Sequence, residues 1–499
     1  MIGLICSLSG HAQDYHAIEG SPYAGAIGAA NNPASIVNAS YPWDITVFSL
    51  EEKNTTNVVR FTDFSYISKD TIHYKFAEGY MKRYAAFNFN VHLLNVRLAL
   101  GRKQAIAFGA NLRGYGSVRT GPVNYNDTLK NMNEFFNINE GTSYNANMVS
   151  STWVEGFATY SRTLVDDTYG RLNGGITLKG MRGISGAYAQ LESGSVNRTI
   201  PPGSALTIYD LAAGSGRYAY SSNYDYWKNG RSGIQNLEDF LVHTKVGAAV
   251  DFGVEYLVKP QTVNVYDEGD SYYDYNWKIG VSLLDVGENV YKYGSQSRVI
   301  GDPKTNVSDS ELNEKFERVQ TLAGFNDSMA AIVNSYNRLQ GLFKVWNPTR
   351  LVINIDRPLP DHFAVNTNLT LNLGGSNTGQ RLFTKEITLL TVTPRWETKK
   401  LGGYLPLEVT TDGRVWVGGA FKAGPLLLGI DNWMNLISKS KMANGGIYLA
   451  LVIKPGKGFS FREDKNPSTS TPCPDAHPVR SARQPTRPQI KDWTAYYLS

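Results

Sequence analysis

The chain has 499 residues, 42% hydrophobic, 12% aromatic and only 19% charged, with a formal net charge of +5. That apolar and aromatic content excludes disorder over most of the length. No run of roughly 18 apolar residues offers a spanning helix, and 48 glycines with 30 tyrosines speak against a coiled coil. What remains is a large all-β chain. A membrane β-barrel fits best and a secreted β-sandwich or propeller second.

In chain order, residues 1–12 read as an export signal. Ile2–Leu8 is a short apolar run, and Gly10-His11-Ala12 supplies small residues for cleavage after Ala12. The segment departs from the usual pattern, since no Lys or Arg precedes the run; a buried N-terminal strand is the other reading. The two cysteines, Cys6 and Cys473, lie in this segment and in the C-terminal tail, so no disulfide framework or Cys-based metal site is expected.

The first strand candidate is Asp44–Leu50, followed by a long polar stretch, Glu51–Lys82. A strand that faces lipid on one side and a lumen on the other alternates apolar with polar residues. Arg171–Met181 sets Leu172, Ile176 and Leu178 against Arg171, Asn173, Thr177 and Lys179. In Thr244–Tyr256, Val246, Ala248, Val250, Phe252, Val254 and Tyr256 share one face; Lys245, Asp251 and Glu255 share the other, where lumen charges would pair with one another. Tyr273–Leu283 repeats the pattern with Tyr273, Tyr275, Trp277, Ile279, Val281 and Leu283 on its apolar face, and Phe363–Leu373 repeats it again. Such runs have the length of a tilted membrane strand. Tyr272, Tyr273, Tyr275, Trp277 and Tyr256 near strand ends suggest an interfacial girdle.

Short and long connections alternate. Tight turns are expected at Gly101–Gln104, Asp166–Tyr169, Pro358–Asp361, Thr398–Gly403 and Ala423–Pro425. Long polar connections are expected at Arg119–Val149, Asn223–Asp239, Gly287–Asn347 and Asp431–Asn444. Short turns at one end and long loops at the other is the outer-membrane arrangement, with both termini on the short-turn, periplasmic side. Ile184–Ser222 forms two strands or one loop, giving 16 or 14 strands; about 14 is favoured, within a range of about 12–16. In the long connection Gly287–Asn347, Ser308 and Glu311 form a capping box, with Leu312, Phe316, Val319 and Leu322 at helical spacing. Asp327–Gln340 is patterned as a second helix.

Catalytic motifs are absent. No His-Glu-x-x-His, P-loop, Gly-x-Ser-x-Gly or Cys-x-x-Cys occurs. No enzyme activity, metal site or cofactor is expected. The thin positive charge gives no reason to expect nucleic acid.

Gly25-Ala26-Ile27-Gly28-Ala29-Ala30-Asn31-Asn32-Pro33-Ala34-Ser35, just inside the mature N-terminus, resembles outer-membrane barrels of the long-chain fatty-acid transporter type (FadL-like). Ser282–Gly287, Val392–Glu397, Gly403–Leu407 and Ala423–Gly429 add to that resemblance and look like an uncharacterised family of such barrels. The resemblance implies an N-terminal segment folded into the lumen as a hatch. The expected organisation is therefore a signal peptide (1–12), a hatch (13–43), an outer-membrane β-barrel (44–454) with a helical insertion in one long loop, and a Pro-rich basic periplasmic tail (455–499).

Within the hatch, Asn31, Asn32 and Pro33 are the candidate ligand residues, because Asn side chains bond backbone and Pro33 fixes the inward turn. The implied function is passive passage of a hydrophobic or amphipathic small solute across the Gram-negative outer membrane, with membrane lipid and that solute as partners. The alternative is a surface-assembly or secretion-system accessory that binds proteins through its long loops, notably Tyr125, Phe135, Phe136 and Tyr144.

Overall fold

The computed structural model describes residues 17–62, 73–203, 206–260, 273–317, 319–377, 381–411, 413–442 and 444–455. The expected signal peptide and all but the start of the expected tail lie outside the described residues.

Apolar and polar residues alternate along the strands, and a sheet with one apolar face must hide either that face or the other. Here the sheet closes on itself with the polar face inside. A ring of 14 antiparallel strands results. In chain order they are β1 (Trp43–Thr56), β2 (Gly79–Gly101), β3 (Gln104–Tyr125), β4 (Tyr144–Asp166), β5 (Gly170–Thr199), β6 (Lys245–Val258), β7 (Trp277–Lys292), β8 (Arg350–Pro358), β9 (Phe363–Asn372) and β10 (Leu389–Glu397). The ring continues through β11 (Leu401–Tyr404 with Leu407–Thr410), β12 (Val415–Val417 with Gly419–Ala423), β13 (Leu426–Ile430) and β14 (Gly445–Ile453). Closure pairs β14 with β1, from Ile45 opposite Ile453 to Asn54 opposite Gly445. A closed ring leaves no unpaired edge, the condition for a sheet to cross a bilayer. β11 is interrupted at Leu405-Pro406, since proline has no N–H for the ladder; the Pro406 carbonyl accepts from Gly418 at 2.8 Å.

Outward-facing Phe108, Leu178, Phe252, Ile279, Phe421 and Leu451, on six strands, are all exposed, whereas inward-facing Asn90, Thr177, Asp251, Lys278, Asn368 and Arg395 are buried. This inversion is that of a transmembrane barrel. No helix among the described residues is long and apolar enough to cross a membrane.

The five expected tight turns all join strands at one end. At that same end β6 and β7 are joined by residues 259–276, longer than its neighbours. Tyr273 and Tyr275 precede β7 rather than lying within it, and Tyr275 is buried. They leave the expected girdle; Trp277 and Tyr256 remain outward and exposed, and Tyr272 lies outside the described residues.

At the long-loop end, β5 runs on past the ring and folds back onto the strand Ile208–Tyr220, with Ala187 opposite Tyr220 and Thr199 opposite Ile208. Ile184–Ser222 thus contributes a hairpin above the ring, which is why the ring holds 14 strands and not 16. Arg298–Pro303 and Val333–Arg338 extend this upper sheet. Helices α1 (Met132–Ile138), α2 (Gly233–Val242), α3 (Asp309–Phe316) and α4 (Leu322–Ile332) belong to the same loops. Ser308 caps α3, accepting from the Glu311 N–H at 3.2 Å, as its capping box predicts. The expected helix over Asp327–Gln340 instead ends at Ile332. From β-branched Val333 the chain turns into a strand that pairs with Arg298–Pro303, a tertiary pairing that overrides local periodicity.

Val254 sits within the outward band. Val254→Arg is expected to lower barrel stability by about 2–4 kcal/mol, while Lys245→Ala, at an exposed strand end, is expected to leave it unchanged. Urea titration in lipid bilayers, followed by heat-modifiable gel mobility, measures both.

Candidate functional site: the filled lumen and its outer mouth

The described N-terminal segment, residues 17–42, lies in the lumen as two 3-10 turns, Gly25–Ala30 and Pro33–Asn38. Asn32 caps the second: its Oδ1 accepts from the Ala34 N–H at 2.9 Å, and Pro33 occupies the first position, where a missing N–H costs nothing. Asn32 Nδ2 donates to the Val254 carbonyl at 3.0 Å, and Ser282 Oγ donates to the Asn31 carbonyl at 2.6 Å. The wall is cut away to receive this turn. A Cβ on Gly175 would lie 2.4 Å from the Pro33 carbonyl carbon, one on Gly253 2.1 Å from Asn32 Oδ1, and one on Gly280 2.8 Å from Asn32 Nδ2. Three neighbouring strands, β5, β6 and β7, thus present bare backbone to Asn32 and Pro33.

Arg97 holds the other side of the segment. Its Nε donates to Asp44 at 2.5 Å, and its Nη atoms donate to the carbonyls of Ile36, at 3.2 Å, and Tyr41. Asp44 also accepts from the Ala26 N–H at 2.7 Å. Gly25 beside it has φ +61, the left-handed region that glycine enters without strain.

Above the hatch lies a buried layer of charge. Asp285 accepts from Arg113 at 2.5 and 2.9 Å, from Lys179 at 2.5 Å and from Arg350 at 2.6 Å. Lys179 also pairs with Asp251 at 2.7 Å, and Arg113 with Glu155 at 3.5 Å. The three cations thus face three carboxylates. Arg350 also donates to the Ala30 carbonyl at 3.2 Å, tying this layer to the hatch. Asp251 therefore lies where the strand pattern puts it, in the lumen. Glu255 does too, accepting from Asn38 with Lys278 at 3.9 Å. Lys245 does not join them. It stands exposed at the long-loop end of β6, and the cations that face these carboxylates, Lys179 and Lys278, come from the neighbouring strands β5 and β7.

A second polar layer closes the short-turn end. Arg395 donates to Asp356 at 2.6 and 2.9 Å and to Glu397 at 2.9 Å. Tyr275 donates to Asp356 at 2.6 Å and Tyr273 to Glu397 at 2.7 Å. Glu397 also accepts from Ser21 of the hatch at 2.8 Å. The connection between β6 and β7 thus sends two tyrosines back into the barrel, which the alternation around them concealed.

Two small cavities of mixed polar and apolar lining, about 40 and 30 Å³, flank the hatch. They have room for a few waters and none for an organic solute. The long-loop end differs. An apolar cavity of about 260 Å³ lies between the upper sheet and helices α1, α3 and α4, lined by Phe136, Val196, Leu211, Ile300, Leu312 and Ile332. Phe136 is buried, and Phe135 and Tyr144 pack against the same apolar cluster. Phe135, Phe136 and Tyr144 thus gather around this cavity, while Tyr125 packs against Phe76 at a centroid distance of 5.8 Å.

His92 is buried in the lumen, 4.0 Å from Glu51. His243 caps the end of α2 and stacks on Tyr226. Among the described residues no group of three or more His, Cys, Asp or Glu side chains could hold a metal ion.

A family model described as "Family of unknown function (DUF5723)" matches residues 33–431, and the chain belongs to that family. Comparison with curated proteins gives no match. Among solved structures the chain is similar to the toluene transporter TbuX of Ralstonia pickettii, at 12% identity and TM-score 0.36, covering 89% of this chain and 95% of that one. It is similar to a TodX deltaS2S3 mutant, a monoaromatic hydrocarbon channel, at 11% identity and TM-score 0.41, covering 86% and 97%. It is also similar to a FadL homologue of Pseudomonas aeruginosa, at 9% identity and TM-score 0.36, covering 89% and 99%. With TM-scores this low, the barrel assignment rests on the strand pairing described above.

Gly253→Val is expected to expel Asn32 and Pro33 from the wall while leaving the ring closed. Limited proteolysis of the folded barrel would then cut within residues 17–42, where the unsubstituted protein resists.

Proposed function

We propose that this DUF5723 member is an outer-membrane barrel through which a hydrophobic or amphipathic small solute passes without energy input, and that the apolar cavity at the long-loop end captures it. The observation that carries this reading is the contrast between that cavity, about 260 Å³ and apolar, and the polar, filled lumen beneath it. An apolar cavity of roughly 150 Å³ already suffices for a benzene-sized guest. Burial there would contribute about 25 cal/mol per Å² of apolar surface.

On this reading the long loops face the outside of the cell and the short turns face the periplasm. Residues 1–12 direct export, and residues 455–499 form a periplasmic tail. Asn31, Asn32 and Pro33 act as the fastening of the hatch, which closes the lumen to water and ions and has to shift for the captured solute to pass. Asp251 and Glu255 serve to hold the lumen together. Asp251 faces Lys179, and Glu255 faces Asn38 and Lys278, which suits a structural role better than a catalytic one.

The test is binding of the apolar fluorophore 1-N-phenylnaphthylamine to the purified barrel. Saturable binding is expected, weakened at least about tenfold, or about 1.4 kcal/mol, by Leu312→Asp and by Ile300→Trp, which fills the cavity without adding polarity. Unchanged binding in both variants would overturn the assignment of the cavity.

A further inference from the structure

We infer that α2 lies in the membrane interface beside the barrel, with Ile234, Leu237 and Leu241 set into the lipid. Its inner face is already occupied. Phe240 is buried against the rings of Tyr224 and Trp227, at centroid distances of 5.1 and 6.2 Å. The Asn236 side chain bonds the Lys228 backbone twice, at 3.0 Å each. Ile234, Leu237 and Leu241 recur at i, i+3 and i+7 on another side, the spacing of a single helical stripe. Ile234 is 81% exposed and Leu237 51%. A stripe of this kind on a loop helix needs an occupant, and three observations identify it as lipid.

The first is continuity with the lipid-facing wall. Only His243, Thr244 and Lys245 separate α2 from Val246, the first outward residue of β6, and the exposed outward row then runs on through Ala248, Phe252, Val254 and Tyr256. The second is the attachment. Arg182 lies opposite Val246 in the register of β5 and β6 and is exposed on the outer side of the wall. Its Nε donates to Thr244 Oγ1 at 2.6 Å, and Thr244 Oγ1 donates to the Leu241 carbonyl at 2.6 Å. The end of α2 is therefore bolted to an outward side chain, on the bilayer side of the ring. The third is depth. At this level the outer wall carries the Glu288–Lys344 ion pair at 2.5 Å and the exposed Trp346, with Ala248 opposite Glu288 and Glu288 opposite Trp346. Charge together with an outward tryptophan marks the headgroup boundary. A helix with an apolar stripe and a polar side, lying at that boundary, matches an interfacial anchor. On its polar side Asp239 pairs with Arg231.

This goes beyond the proposed transport role and rests on the transmembrane reading of the barrel. The test places single spin labels at residues 234, 237 and 241, at the polar positions 235 and 239, and at Val254 as a wall control. The background is Cys6→Ser with Cys473→Ser, in phosphatidylcholine–phosphatidylglycerol nanodiscs. Expected is high accessibility to oxygen and exclusion of a nickel chelate at 234, 237, 241 and 254, with the reverse at 235 and 239. Nickel access at 234, 237 and 241 with a lipid-exposed 254 would overturn the inference and leave the barrel standing. Shielding of those three labels from both reagents would also overturn it, in favour of a second copy or another protein on the stripe. A water-exposed 254 would overturn the membrane reading and the inference with it.

Discussion

The carboxylate of Asp285 is the point on which the interior depends. It interrupts β7 at a bulge, with φ +59, a conformation that Asp adopts more readily than most residues. From there it meets Arg113 on β3, Lys179 on β5 and Arg350 from β8, while its own N–H donates to Asp251 on β6 at 2.7 Å. Five strands are thereby joined through one side chain and its backbone. Removing one partner from a buried set of this kind costs about 3–5 kcal/mol, because the others keep their charge without its counterpart. The arrangement holds because it is complete: Asp251 and Glu155 balance what Asp285 alone would leave positive.

Filling the lumen in this way leaves little free space inside the ring. Arg350 reaches from Asp285 to the Ala30 carbonyl, so the charge layer and the hatch form one body. Below, Ser21 and Tyr273 share Glu397, so the hatch is held from the short-turn end as well. What space is left beside it is water-sized. The apolar volume is displaced to the long-loop end, where the upper sheet and three helices build a core that the ring itself does not need.

Alternation along β5, β6 and β9 made the barrel legible, because a period of two with polar residues inward leaves few other folds open. The turn and loop ends were legible for the same reason. The Asn32-Pro33 turn could be read as an inward fold, but its seat could not, since Gly175, Gly253 and Gly280 are far apart in sequence and meet only through strand register. Asp285 lay in plain view within Ser282–Gly287, and Arg395 and Glu397 within Val392–Glu397. Those stretches marked a resemblance, while the partners that give them meaning come from other strands. Lys245 shares its face with Asp251 and Glu255, yet parity assigns a side and not a height, and its height puts it outside the lumen. Tyr273 and Tyr275 continued an alternating pattern by coincidence, and only the chain path shows them turning inward.

On the transport role proposed above, the polar contents shut the lumen and an apolar solute is taken up at the long-loop end. The most direct measurement is ion conductance of the purified barrel in planar lipid bilayers across a range of voltage. No sustained open-pore current is expected from the intact protein. A steady, porin-like conductance would contradict that reading, since the layers around Asp285 and Glu397 could not then be closed in the membrane.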